Sequence, residues 1–575
     1  MKNIDILLVN SFAPRQRVMS DVALDNGLVA LHTHLTEKGF GIEVHDELRI
    51  GSLERGVPRW CVKLLRLLTL MQLKAHRKGA RFITLLLFAL SKYVQAFSLF
   101  CRMRHMDGEI RRIVRFVKEH EIPTVGIKLW YGEAYKWSGG LAAKLREDCP
   151  ETTVVVGGPQ VKVYGGEVLH GQGFDLAIMG PGEEALAQLL TLRRQFKAKE
   201  AFLRRVSAVF SGAPLLITGG YRPKCDAAKA KETFTIPRYR DVDLKDKLLL
   251  HTLVDGSGCV WNKCSFCSHT RHKQSYQPRP VAEIIAEMKT LTQAGVGFFR
   301  FCSSETPLAH GRQIAKAILE EGLTVNYSMF KRAGEVTSVT FDDYCLLIKS
   351  GLRAVFMGGE TGHDLINARI MNKGTCQKEI IDTISCIRLA ASAVGESCRV
   401  GLSLIYPCPV VEGVTLEDVY RENVALVSKA LPDTVIVNPP GLFPGTKWYE
   451  KAEQLGFKTG KDLVSTAMQY EYSIYKPVET WDKIDCSLNG LSFLDLLKET
   501  GRLRKTVMEL GIPTDISDEF LMMMEAIGCK TSYDLIRFKQ QSLLDIMTGS
   551  ASYGREIIRR INEESRRLAM LNRKG

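Results

Sequence analysis

The segment Gly256-Ser257-Gly258-Cys259-Val260-Trp261-Asn262-Lys263-Cys264-Ser265-Phe266-Cys267 places three thiols on one short, glycine-led stretch. Three thiolates on a loop can wrap one face of a cubane cluster and leave the fourth iron without a protein ligand, open to a substrate or cosubstrate. The glycines allow tight turns close to the sulfides, and Phe266 can shield them from water. Zinc is the rival: its tetrahedron needs a fourth ligand, which His269 or His272 could supply. Most of the fifteen cysteines are scattered singly, as small buried apolar residues are.

Two glycine turns offer a different chemistry. Val154-Val155-Val156-Gly157-Gly158-Pro159 is a buried strand running into a tight turn, and Phe174 to Glu184 repeats the design with Gly180-Pro181-Gly182-Glu183. Turns without side chains at the carboxyl ends of neighbouring parallel strands let a large ligand approach the backbone, in the crevice that open α/β sheets use. Taken alone, the same turns also serve as ordinary strand-to-helix connections.

The elements that must carry these residues follow from periodicity. Residues 1–200 alternate β-rich runs with helical stretches, the pattern of a parallel sheet covered on both faces. Strands are expected at Ile4–Asn10, Gly41–Asp46, Thr124–Leu129, Thr153–Val156 and Leu176–Met179, and helices at Asp21–Lys38, Asp107–His120, Trp137–Asp148 and Glu183–Phe196. A less regular linker, 201–247, leads to a second region at 248–460. There strands are expected at Leu249–Val254, Gly297–Phe301, Thr324–Met329, Ala354–Met357, Val400–Tyr406 and Thr434–Val437, with helices such as Val281–Gln293 and Phe341–Lys349 between them. Six strand–helix repeats make a curved parallel sheet or partial (β/α)6 barrel, with its active site at the carboxyl ends of the strands. A mainly helical region is expected over 461–575.

Composition bounds the answer. With 575 residues, 45% apolar and 25% charged, the chain is a multidomain globular protein rather than a disordered scaffold. The net charge of +14 names no particular partner, and no nucleic acid is expected. MKNIDILLVNSF is no signal peptide, which with the many cysteines leads to an expected cytoplasmic location. Trp60 to Arg104 is both basic and strongly apolar, and Phe82–Phe100 holds one charge, Lys92. This 60–105 insertion is read as packed helices, as an interfacial helix gripping a membrane, or as a span, the last burdened by Ser91, Lys92 and Gln95 at its middle.

Three cysteines after the first strand of a six-repeat barrel, with an aromatic before the last, resemble the radical S-adenosylmethionine superfamily. The gap here is Cys-x4-Cys-x2-Cys, one residue longer at first than the usual Cys-x3-Cys-x2-Cys. Ser303-Ser304-Glu305-Thr306-Pro307-Leu308 resembles the loop that binds the methionine amino group. Phe356-Met357-Gly358-Gly359-Glu360-Thr361-Gly362, followed by Met371-Asn372-Lys373-Gly374, resembles a pattern of the cobalamin-dependent branch, and Pro440 to Thr446 resembles the Pro-Gly-Thr near the barrel's end. The glycine turns upstream resemble that branch's cobalamin-binding domain.

The resemblance implies an N-terminal doubly wound, Rossmann-like cobalamin-binding domain, then the barrel and the helical region. It implies a 4Fe–4S cluster on Cys259, Cys264 and Cys267. S-adenosylmethionine would meet Phe266, Ser304, Glu305, Arg332, Gly359 and Glu360, and cobalamin would meet Ser11, Trp130, Tyr131, Gly157, Gly158, Pro159, Gly180, Gly182 and Glu183. No residue is singled out as catalytic. Many cobalamin proteins carry Asp-x-His-x-x-Gly for cobalt; the nearest segment here, Val44 to Gly51, does not fit, and His45 is read as a strand-end residue. The implied reaction is C-methylation of an unactivated carbon in a peptide or small natural product, by a 5′-deoxyadenosyl radical and methylcobalamin. Cyclisation or rearrangement, or a non-catalytic accessory role, are the alternatives. A flavodoxin or ferredoxin would supply electrons.

Overall fold

A computed structural model describes residues 3–14, 20–170, 172–209, 216–218, 234–272, 275–460, 462–474, 481 and 484–572. Most of the linker expected over 201–247 lies outside them. The chain divides into two compact units, 1–247 with 541–558, and 248–540 with 559–575. Residues after 460, expected as a mainly helical region, are divided between the two units.

The first unit is built on a six-stranded sheet: β1 (Ile6–Asn10), β2 (Ile42–Asp46), β3 (Thr124–Lys128), β4 (Thr153–Gly157), β5 (Leu176–Ile178) and β6 (Leu216–Thr218). Its order is β2-β1-β3-β4-β5-β6, parallel except for β6, which pairs antiparallel with β5 and was not foreseen. Alternation explains both covered faces. Ile6 and Leu8 join Val155, Leu176 and Ile178 in a core with Leu28, Leu35, Leu186 and Leu189, while Leu7 and Val9, pointing the other way, are equally buried. The order reverses between β1 and β3, where such sheets open a crevice at their carboxyl ends.

Between β2 and β3 the chain forms two long helices, Arg59–Arg77 and Arg81–Glu119. The second runs unbroken through the position where a separate helix from Asp107 was expected. Gly108 is the weakest helix former at that junction, and a single glycine costs only about 1 kcal/mol in a helix.

The second unit carries β7 (Leu250–Leu253), the short pair β8 (Gly256–Ser257) and β9 (Gln277–Pro278), then β10 (Phe298–Phe301), β11 (Asn326–Lys331), β12 (Leu352–Glu360), β13 (Arg399–Ile405) and β14 (Thr434–Asn438). Six of them form one parallel sheet in strictly sequential order, β14-β13-β12-β11-β10-β7, the arrangement of a partial barrel. A helix follows each of the first five sheet strands. The helix Asp518–Ala526 packs on β11, β12 and β13. Its buried Asp518 accepts from Arg300 Nη2 on β10 at 2.7 Å and from Ser328 Oγ on β11 at 2.6 Å. At the start of β10, Gly297 donates its N–H to Ser565 Oγ at 2.9 Å, and a Cβ there would lie 2.6 Å from Ser565 O. Only glycine allows that approach.

Candidate cofactor sites at the strand ends

The thiol loop leaves β7 and is closed at its base by a two-residue antiparallel ladder, Gly256 with Pro278 and Ser257 with Gln277. Four contacts then staple it. Ser265 N donates to Met371 O at 2.9 Å, and Trp448 N donates to Ser265 O at 2.9 Å. Trp261 Nε1 donates to Asn372 O at 2.7 Å, and Asn372 Nδ2 donates to Lys263 O at 2.8 Å. Met371 ends a π-helical turn, Asn367–Met371, and Asn372 is left-handed at φ 51°. Single π turns of this kind are frequent at functional sites.

Cys264 is buried, and Cys259 and Cys267 are half-buried. Burial pushes the Cys264 thiol up to about 12, with the neighbouring Lys373 ammonium working against that rise. A thiol so reluctant to ionise becomes a thiolate when a metal takes its proton's place. Three thiols on one short loop, Cys264 buried beside the Lys373 ammonium, are the donor set for one face of a cubane cluster with an iron left open.

Around this loop the carboxylates are paired. Lys373 Nζ lies 2.7 Å from Glu360 Oε1, and Lys331 Nζ lies 2.7 Å from Glu305 Oε1. Burial opposes the Lys373 charge, but Glu360 and the thiols outweigh it and raise its pKa. Glu360 sits at a register shift in the β12–β13 pairing with φ 60°, a left-handed backbone unusual for a residue other than glycine. Gly358 leaves the room this needs, since a Cβ there would lie 2.2 Å from Glu360 Oε1. Buried Gly359 packs against Leu402, which a Cβ would meet at 2.9 Å.

Glu305 keeps one buried oxygen, Oε2, without a hydrogen-bond partner, and the buried Tyr276 hydroxyl also has none. Burial first, then Asp255 and Glu305, pushes the Tyr276 phenol up. Asp255 anchors the loop that carries Glu305, accepting from Ser303 N at 3.0 Å, Ser303 Oγ at 2.8 Å and Thr306 Oγ1 at 2.8 Å. Ser304 is half-buried on that same loop. Arg332, expected to meet S-adenosylmethionine, donates from Nη1 to Gly374 O at 2.9 Å and lies 5.0 Å from the centre of the Trp261 ring. Its Nε is buried and has no partner. Phe266 packs edge-on against Trp448, ring centres 5.8 Å apart. The sequence reading missed the pairing roles of Lys331 and Lys373 and the anchoring role of Asp255. Their signal was position alone, each at or just beyond the end of a strand or motif.

In the first unit a cavity of about 260 Å³ opens at the carboxyl ends of the strands. It is lined by Gly157, Gly158, Pro159, Gly180, Gly182 and Glu183 together with Lys128 and Asn26. Gly158 has φ 102°, and a Cβ on it would come within 3.2 Å of Lys128 Cγ. This is a cradle that side chains would fill, and it suits an extended ligand tail.

Ser11, Trp130 and Tyr131 do not line that cavity. Ser11 Oγ accepts from Trp130 N at 3.0 Å, and Trp130 Nε1 donates to Asn10 Oδ1 at 3.0 Å. The same network includes Lys128, 2.6 Å from Asp25, whose other oxygen caps the helix Asn26–Glu37. Tyr131 meets the Trp130 ring edge-on. His45 Nε2 lies 3.7 Å from Glu109 Oε2. With Glu47 these groups come within 4.8 Å of one another, but Arg55 and Arg112 already neutralise the two carboxylates, so the cluster closes as ion pairs.

Comparison with known proteins identifies a domain type for each unit. The family model for the B12 binding domain matches residues 79–190, and that for the radical SAM superfamily matches residues 253–401. No curated protein matches the chain by sequence. Among solved structures, the chain is similar to the radical S-adenosylmethionine methyltransferase TsrM from Kitasatospora setae with cobalamin and a [4Fe-4S] cluster bound. That likeness has 16% identity, covers 98% of this chain and 100% of that one, and has a TM-score of 0.61. The TsrM structure with tryptophan substrate and a SAM analogue gives 16% identity, 97% and 99% coverage and a TM-score of 0.60. The cobalamin-dependent S-adenosylmethionine radical enzyme OxsB, with aqua-cobalamin and S-adenosylmethionine bound, gives 12% identity, 94% and 71% coverage and a TM-score of 0.51. The chain thus carries a B12-binding domain followed by a radical SAM domain, the pairing found in cobalamin-dependent radical S-adenosylmethionine enzymes, and its cofactors are a 4Fe–4S cluster, S-adenosylmethionine and cobalamin.

Proposed function

We propose that this enzyme is a methyltransferase acting on an unactivated carbon of a peptide or small natural product. The observation that carries the reading is the end-to-end likeness to TsrM, a methyltransferase whose fold accounts for 98% of this chain. Loaded with its cofactors, such a site supplies radical cleavage of S-adenosylmethionine and a methyl group for transfer.

The chain's own residues bind and orient. Cys259, Cys264 and Cys267 are the thiolates for the cluster, and Lys373 beside them offsets their charge. Lys331 holds one oxygen of Glu305, which leaves Oε2 free to accept from the ammonium of the cosubstrate. Arg332 Nε and the Tyr276 hydroxyl are further buried groups without a partner that could bond a polar ligand there. Gly157, Gly158, Gly180 and Gly182 let cobalamin approach the backbone in the first unit. Ser11, Trp130 and Tyr131 belong to a separate network beside that cavity. A low-potential flavodoxin or ferredoxin is the proposed electron donor, and a net charge of +14 favours encounter with an acidic protein. The proposed compartment is the reducing cytoplasm.

The test is anaerobic reconstitution with cluster and cobalamin, followed by mass spectrometry with S-adenosylmethionine and candidate substrates, tryptophan among them. S-adenosylhomocysteine and a product heavier by one methylene are expected. A rearranged product of unchanged carbon count would replace methylation by cyclisation or rearrangement. Failure to consume S-adenosylmethionine with both cofactors loaded would leave only an accessory role.

A further inference from the structure

The helices Arg59–Arg77 and Arg81–Glu119 carry more apolar surface than the protein covers. Their shared core is small, formed by Val57, Cys61, Leu65, Leu68, Leu87 and Val94. On the second helix, Leu87, Ser91, Val94 and Ser98 make the buried stripe at steps of four, three and four residues. A second stripe at the same helical spacing, Phe82, Leu86, Leu90, Tyr93, Phe97 and Phe100, is exposed, with Phe82 79% and Tyr93 78% accessible. On the first helix Trp60, Leu67, Leu70 and Met71 are exposed as well. The Trp60 and Phe97 rings lie 5.6 Å apart, which joins the two exposed stripes on one face.

Charge says what covers this face. From Gly56 to Met106 there are ten lysines and arginines and no aspartate or glutamate. Lys74, Lys78 and Arg81 stand exposed around the turn between the helices. Lys92 and Arg104 lie over the Phe88 and Phe100 rings at 5.2 and 5.8 Å, the posture of cations that follow an apolar stem to its polar edge. A second copy of the chain would bring two strongly positive faces together, and like charges there repel. A span across the bilayer would put Ser91, Lys92 and Gln95 at the middle of the hydrocarbon, where polar groups are costly, and Gln95 already donates to Met547 O on the protein.

We infer that this helical pair docks the enzyme in the plane of an anionic lipid surface, with its aromatic and leucine stripes sunk into the headgroup boundary and its lysines and arginines on the phosphates. This docking does not depend on which carbon the enzyme methylates.

Flotation of the full-length protein with vesicles of phosphatidylcholine and phosphatidylglycerol at 7:3 tests it. Wild type should float with these vesicles and do so at least ~10-fold less with pure phosphatidylcholine or in high salt. The triple variant Phe82→Glu, Leu86→Glu, Tyr93→Glu should stay with the soluble fraction while keeping its helical circular dichroism, its melting temperature and its cobalamin binding. A wild type that fails to float overturns the inference. So does a wild type that resists alkaline carbonate extraction, the mark of a span. A dimer in ultracentrifugation that the triple variant dissolves, with no lipid effect, would assign the face to a second copy and also overturn it.

Discussion

The two units both place their chemistry at the carboxyl ends of parallel strands, but they prepare it with opposite materials. In the first unit the strand ends are nearly bare: Gly157-Gly158 and Gly180-Pro181-Gly182 border a cavity of about 260 Å³, with Lys128 as the cation on its wall. In the second they are crowded with paired charge, Lys331 on Glu305 and Lys373 on Glu360, each at 2.7 Å. A large corrinoid gains its affinity from shape and backbone contact over a wide area, so removing side chains is the useful step. A small zwitterionic cosubstrate that must meet an iron in one orientation needs charges already held in place, since ordering them at the moment of binding would cost affinity.

That contrast can be broken experimentally. Cys264→Ala should cause the largest loss: iron content and the cluster's absorbance fall to background, activity with them, and cobalamin binding to the first unit stays. If cobalamin binding fell equally, the two sites would not be separable. Lys373→Met should come next. It leaves Glu360 buried without its cation, at a cost of about 3–5 kcal/mol read as a lowered melting temperature, and Lys373→Arg should recover part of it. An unchanged melting temperature would show that Glu360 takes a proton or another partner.

Glu305→Gln should weaken S-adenosylmethionine binding by ~10–100-fold in calorimetry, the worth of a charged hydrogen bond, while cluster content and cobalamin binding hold. Gly158→Val is the counterpart in the first unit. Its Cβ would press on Lys128, so cobalamin affinity should drop ~10–100-fold, an overpacking penalty of about 1–3 kcal/mol, with cosubstrate affinity intact. Equal damage to both ligands from either variant would argue against a division of labour.

Much of this was legible because it is local. Strand alternation, glycine turns and three thiols within nine positions are each carried by residues adjacent in the chain, and every strand expected from periodicity in the two sheets has its counterpart among the described residues. The unforeseen β6 is short and antiparallel, too brief to leave a period. Ser11 and Trp130 illustrate the opposite limit. Their place after strands marks them for a ligand, yet their polar atoms bond each other and Asn10, which only adjacent strands could bring together.

The amino-acid order by itself determined where strands end and which residues stand at those ends, since backbone conformation answers to the nearest few side chains. Only the tertiary structure decided which charge meets which, because Lys331 and Glu305 lie 26 positions apart and are joined by strand pairing. It also decided which apolar stripe of Arg81–Glu119 turns inward. Leu87 and Val94 repeat with the same helical spacing as Phe82, Leu86 and Tyr93, so hydrophobic period alone cannot choose between them; packing on the rest of the unit does.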